Sequence, residues 1–160
     1  IQWIGSRWMS GARLFAMPHL RPVRLKAGVF GDGIPDGDLI VSPQHRILLK
    51  GAAAQDLFNT PEVLVAAKDL INGDTVTVDL KMRQVTYVHM LLENHQVLWA
   101  NGIETESFHP ASAALSVLDD EDRRRLLSNH PELEFDPHTY GRFARRNLSE
   151  SEAAILAHAA

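Results

Sequence analysis

The chain has 160 residues, 45% hydrophobic and 22% charged, with a formal net charge of −4 at pH 7 and no cysteine. This length suits one hydrophobic core with a small appendage, and the slightly acidic charge does not favour a nucleic-acid-binding protein. The absence of cysteine excludes disulfides and cysteine zinc sites, and no apolar stretch is long enough to predict a membrane span.

The first forty residues predict short strands joined by turns. Residues 1–15 favour two short strands separated by a turn, because apolar residues cluster around Gly5 and Gly11. Val23 and Leu25 alternate with basic residues, which is typical of a half-buried strand. Residues 31–38 (GDGIPDGD) are dense in Gly, Pro and Asp and predict a surface loop.

Residues 39–49 (LIVSPQHRILL) form the stretch around which the chain is organised. Two apolar runs flank a polar interruption, which indicates a strand, a tight turn or bulge, and a second strand. Pro43 has no N–H for a sheet ladder and biases Ser42 towards an extended conformation. In an unbroken strand, residues three apart point to opposite faces, so the interruption is what allows Ser42 and His45 to face one pocket.

The middle of the chain favours a mainly β body. We expect strands near residues 62–67, 75–80, 85–92 and 96–100, the last two pairing with each other through residues 93–95. Asn72-Gly73 predicts a hairpin-type turn and Asn101-Gly102 a further turn. Many short strands separated by turn residues are typical of an all-β fold.

The composition changes at Pro110. The acids at residues 119–122 and the Ser149-x-x-Glu152 capping box predict helices near residues 119–129 and 149–159. We therefore expect a β domain over residues 1–110 and a helical C-terminal extension over residues 111–160. The weak apolar stripe of the second helix is compatible with docking on the β body or on another chain.

Two blocks of the sequence resemble a known family. Residues 42–48 (SPQHRIL) resemble the Thr-x-x-His block of Hint domains, the module shared by hedgehog autoprocessing regions and inteins, with Ser42 in place of Thr. Residues 85–103 (VTYVHMLLENHQVLWANGI) resemble the closing block of the module, and the order of the blocks fits. The likeness covers about residues 1–110, is greatest to a bacterial Hint group, and implies a compact, pseudo-twofold β fold of many short strands.

The resemblance also implies a reaction. In an intact Hint domain the first residue, Cys or Ser, attacks the preceding carbonyl and converts a peptide bond into a thioester or ester. His45 would then be the hydrogen-bond partner and general acid/base, with an unperturbed pKa, while Ser42 would orient the amide or the imidazole. His95 matches the closing-block histidine, which assists later steps in inteins. These three residues are the catalytic candidates.

Departures from the family pattern narrow the expectation. Residues 1–7 do not resemble the opening of a Hint domain, so we expect Ile1 to lie inside the module, the nucleophile to lie upstream, and this chain to be inactive alone. No Asn follows His109, which disfavours full splicing and favours N-terminal cleavage. The substrate would be the upstream polypeptide of the same protein, and Hint regions of this type often lie in exported bacterial proteins.

Two other hypotheses stay open. The chain could keep the Hint fold as a catalytically silent interaction or structural module. A metal site could be drawn from His19, His45, His89 and His95, but their spacing is not that of a ligand motif, and we expect neither metal nor cofactor. The oligomeric state is open.

Overall fold

The computed structural model describes residues 1–112 and 115–159, and within them the protein is mainly β, with ten strands in three sheets and a helical C-terminal region. The strands are β1 (Trp3–Ser10), β2 (Val23–Leu25), β3 (Leu39–Val41), β4 (Arg46–Lys50), β5 (Glu62–Ala66), β6 (Val76–Val78), β7 (Gln84–Leu91), β8 (Val97–Ala100), β9 (Ile103–Glu106) and β10 (Arg146–Asn147). The α-helices are α1 (Gly11–Ala16), α2 (Ala52–Phe58), α3 (Asp120–Asn129) and α4 (Glu150–Ala159). The mainly β prediction is confirmed.

The polar interruption predicted at residues 42–45 carries the chain from one sheet to another. Strand β3, before it, belongs to a three-stranded sheet of order β3-β2-β6. Strand β4, after it, lies in the middle of a five-stranded sheet of order β10-β5-β4-β9-β8, in which only β10 and β5 run parallel. Ile47, at the start of β4, is fully buried in the core that the two sheets share. The turn is therefore held between two packed layers.

A two-stranded antiparallel ribbon of β1 and β7 replaces the two strands predicted for residues 1–15. The chain stays extended through Gly5, which pairs with His89 of β7, and the Trp3 indole lies over this residue where a Cβ would clash. The second predicted strand is instead helix α1, whose first turn is capped by the Ser10 hydroxyl accepting from the Arg13 N–H at 3.2 Å. Gly5 provides space for a ring, and the prediction of two strands separated by a turn within residues 1–15 was wrong.

The predicted pairing of residues 85–92 with residues 96–100 was also wrong. Strand β7 pairs with β1 over its whole length, and β8 pairs with β9. The β8–β9 hairpin closes through Asn101 and Gly102, whose φ angles of 49° and 76° suit a two-residue primed turn. Asn72 does not form a hairpin either: its side-chain oxygen accepts from the N–H groups of the three residues 74–76, and the strands on either side lie in different sheets.

Both predicted helices of the C-terminal region are present, and both pack on the β body. Leu126 of α3 is fully buried in a cluster with Trp3, Leu91 and Phe108. Helix α4 begins with the predicted capping box, in which the Ser149 hydroxyl accepts from the Glu152 N–H at 3.3 Å and the Glu152 carboxylate accepts from the Ser149 N–H at 2.8 Å.

The N-terminal end of α3 covers one edge of the β1–β7 ribbon. The Asp122 carboxylate accepts from the Ser6 N–H at 2.6 Å, and the Asp119 carboxylate accepts from the Trp8 N–H at 3.4 Å. The Asp119 N–H donates to the Ser6 carbonyl at 3.2 Å. The middle of the outer edge of β1, around Ser6 and Trp8, is thus partly satisfied by α3.

Candidate functional site

The turn at residues 42–45 is fixed by backbone hydrogen bonds, which leaves its side chains free. The His45 N–H donates to the Ser42 carbonyl at 3.0 Å, and the Lys68 N–H donates to the Pro43 carbonyl at 3.0 Å. The Ala67 N–H donates to the His45 carbonyl at 2.9 Å. Because the backbone groups are used in this way, the Ser42 hydroxyl and the His45 imidazole are presented on a rigid frame.

Ser42 and His45 line the same cavity, which has a volume of about 320 Å³. Its other walls come from the end of β7, from β8 and from residues 105–112. The polar residues that line it include Gln44, His89, Glu106 and His109, and the apolar ones include Val88, Met90, Leu98, Trp99 and Phe108. Several titratable groups therefore converge at one concave site, which is the usual mark of a candidate active site.

A larger cavity of about 470 Å³ lies on the other side of Trp99 and has a different character. Its walls are mainly apolar, with Phe30, Ile34, Leu49 and Leu156 among them, and its charged groups, Lys50 and Glu104, pair with each other at 2.6 Å. It contains no histidine or candidate nucleophile. We assign the candidate site to the smaller cavity because the histidines and Ser42 line it.

The imidazoles of His45 and His89 are both in their neutral form at neutral pH. Burial lowers the pKa of His45, and the neighbouring His95 lowers it further, while the Glu106 carboxylate opposes the shift. Burial lowers the pKa of His89 to about 4, with His45 and Arg7 acting in the same direction. The unperturbed pKa expected for His45 was therefore wrong, because burial disfavours the charged ring. Neither ring has a hydrogen-bond partner among the described residues.

Glu106 places a carboxylate beside these rings. Its side chain is 5% exposed, and its Oε1 accepts from the Arg46 N–H at 3.1 Å. Its Oε2 lies 3.3 Å from Nε2 of His95 but has no hydrogen-bond partner. A buried, incompletely bonded carboxylate is costly, and this one acts on the His45 and His89 rings through its charge.

His95 lies behind Glu106 and is not among the residues that line the cavity. Its Nδ1 accepts from the Ala144 N–H at 2.9 Å, which assigns the proton to Nε2, and Nε2 donates to the Ser107 carbonyl at 3.0 Å. Both nitrogens are thus held by backbone. In this arrangement His95 anchors the C-terminal region to the β body; its catalytic role stays a prediction.

His109 is held in the same way. Its Nδ1 accepts from the Ala111 N–H at 3.1 Å and its Nε2 donates to the Gly141 carbonyl at 3.2 Å. Its ring stacks on Phe143 with the centroids 4.0 Å apart. Burial lowers the pKa of His109, while the hydrogen bond to the Gly141 carbonyl opposes the shift. The two rings with free nitrogens, His45 and His89, are therefore the groups available for chemistry.

Most of the chain, including the cavity, matches a known protein family. A family model described as the Hint domain matches residues 1–112. The chain belongs to the Hint domain family. No curated protein and no solved structure matches this chain. The family match contains every polar residue named above as lining the cavity, so the cavity is a feature of the Hint domain itself.

Two of the three predicted catalytic residues, Ser42 and His45, share the Hint domain's cavity, and the third, His95, lies outside its walls. In the sequence, His89 was a candidate only as a metal ligand, and Glu106 was not singled out. The alternation of β7 could have indicated His89, because it occupies the same face as the buried Tyr87 and Leu91.

The other histidine combination does not form in the structure. His19 lies exposed on a short 3₁₀ helix, Pro18–Leu20. Within residues 1–112 and 115–159, no group of three or more His, Cys, Asp or Glu side chains is arranged to hold a metal ion. No helix in these ranges is long and apolar enough to cross a membrane.

Proposed function

We propose that this Hint domain promotes an N-to-S or N-to-O acyl shift at a junction upstream of Ile1 and so cleaves its own polypeptide, with N-terminal cleavage rather than full splicing as the outcome. The observation that carries the proposal is the cavity in which the unbonded His45 ring, the Ser42 hydroxyl and the Glu106 carboxylate meet. The substrate is the upstream segment of the same protein, and no metal or cofactor takes part.

The acyl shift exchanges bonds and one proton within the polypeptide and needs no added reagent. The thiol or hydroxyl of the nucleophile attacks the preceding carbonyl carbon, the carbon–nitrogen bond breaks, and a thioester or ester forms. The proton lost by the nucleophile is gained by the departing nitrogen. Water or another nucleophile then opens the thioester or ester and regenerates the thiol or hydroxyl.

A neutral His45 suits the transfer of that proton. Because burial lowers its pKa, the ring has a free nitrogen that accepts a proton and can return it to the departing nitrogen. Glu106 favours the transient imidazolium electrostatically, since its negative charge raises the pKa of both His45 and His89. Ser42 orients the amide at the entrance to the turn.

The test is the intact mass of a longer recombinant chain that carries the upstream nucleophile, incubated with and without a thiol or hydroxylamine. We expect fragments that increase with the added nucleophile, and we expect them to disappear in His45→Ala and return in part when imidazole is supplied. His138→Ala is the matched control, because His138 is exposed on the 3₁₀ helix Pro137–Tyr140 and outside the cavity.

A second candidate function is a catalytically silent module that keeps the Hint fold. It is favoured by His95 and His109, whose nitrogens are all committed to other groups of the fold, as in a purely structural cluster. A longer chain that is folded but stays whole under all conditions would support this function and reject the first.

A further inference from the structure

The edge of β7 that faces away from β1 is open beside the cavity. The Phe108 N–H donates to the Met90 carbonyl at 2.8 Å, and this bond lies on the edge away from β1. In an antiparallel ladder, alternate residues direct their backbone groups to the same edge, so those of Val88 and Thr86 also point there. Within the described residues, the outward N–H and C=O of Val88 have no hydrogen-bond partner.

The end strand β8 presents a second open edge to the same cavity. The Ser107 N–H donates to the Gln96 carbonyl at 2.8 Å, on the side of β9. Alternation along β8 then directs the backbone groups of Trp99 away from β9. Val88 and Trp99 both line the cavity, and they are 67% and 70% exposed. The entrance therefore combines unpaired backbone groups with exposed apolar side chains.

The opposite edge of the ribbon is partly covered. The carboxylates of Asp122 and Asp119 accept from the outward N–H groups of Ser6 and Trp8 on β1. Folded proteins usually protect strand edges, because unpaired N–H and C=O groups pair readily with another extended chain. A strand edge left open beside a cavity with catalytic groups is suited to an extended peptide, whose backbone supplies the missing partners.

We propose that the open edge of β7 binds the residues flanking the scissile bond as an added strand, with an apolar or β-branched substrate side chain beside Val88 and Trp99. This inference rests on the proposed function, since the bound strand is its substrate. Successive residues of a strand face opposite sides, so the neighbours of that apolar residue face the side of His89. The substrate class is thus an extended segment with at least one apolar residue at the junction.

Hydrogen exchange of the longer chain carrying His45→Ala tests the inference without requiring cleavage. Because the substrate segment stays attached, the amide of Val88 should exchange about tenfold or more slowly than in the chain of residues 1–160. This protection supports the added strand even if the parent chain does not cleave. Cleavage of the parent without such protection would overturn the inference while leaving the proposed function intact.

A charged substitution at the open edge of β7 provides a second test, measured by the rate of cleavage. Val88→Lys in the longer chain should reduce the rate constant of cleavage by about twofold to fivefold, because a charged side chain loses the apolar cross-strand contact. Phe135→Lys, at a site 88% exposed and outside the cavity, is the matched control and should leave both readouts unchanged. Protection that is already present in residues 1–160 and disappears on dilution would mean that a second copy occupies the edge, and would overturn the inference.

Discussion

Acidification should destabilise the fold through His89, and the size of the effect follows from its environment. Burial lowers the pKa of His89 from 6.5 to about 4. Between these values the unfolded chain binds the proton and the folded protein does not, so the free energy of unfolding decreases as the pH falls below 6.5. One pKa unit corresponds to about 1.36 kcal/mol, which gives a loss of about 2 kcal/mol from His89 by about pH 5.

Urea denaturation followed by tryptophan fluorescence measures this loss. His89→Gln keeps a polar side chain but does not titrate, so its free energy of unfolding should fall less than that of the parent, by the same amount of about 2 kcal/mol. His19→Gln, at an exposed position, should follow the parent at every pH. Parallel curves for the parent and His89→Gln would refute the assignment of a buried, neutral ring.

Three further substitutions test how the fold is held together, each by the free energy of unfolding. Ser149→Ala should cost about 1 kcal/mol, because it removes the cap of α4; an unchanged stability would mean that the capping box contributes nothing. Gly102→Ala should cost about 1 kcal/mol, because its φ of 76° is unfavourable for any side chain, and no loss would imply that the hairpin turn rearranges. Leu126→Ala should cost about 2 to 5 kcal/mol through the cavity it leaves, with Arg124→Ala on the exposed face of α3 as a near-neutral control.

The elements predicted correctly from the sequence are those set by local chemistry. Pro43 interrupts the apolar run, and its neighbours Ser42 and His45 do reach one cavity. The acids at the start of α3 and the capping box of α4 also mark their helices within one residue. Each of these sequence patterns depends on residues a few positions apart, so it can be recognised without knowledge of the rest of the chain.

The wrong predictions concern contacts between segments that are far apart in the sequence. The alternation of β7 predicted a strand but not that its partner would be β1, some eighty residues away in the chain. Glu106 reaches the site because β9 lies beside β4, which no local pattern indicates. Gly5 was interpreted as a break in the apolar pattern, because the local sequence does not show that the Trp3 ring packs over it.

The contact between α3 and β1 has a consequence for how this protein should be divided. The family match ends at residue 112, yet the acids that close the edge of β1 come after it, at positions 119 and 122. A fragment that ends at residue 112 would leave the outer edge of β1 without its partners from α3, in addition to the open edge of β7, and would expose the apolar ring of Trp3. We expect such a fragment to self-associate through these edges. A fragment of this module that stays monomeric should therefore extend through α3.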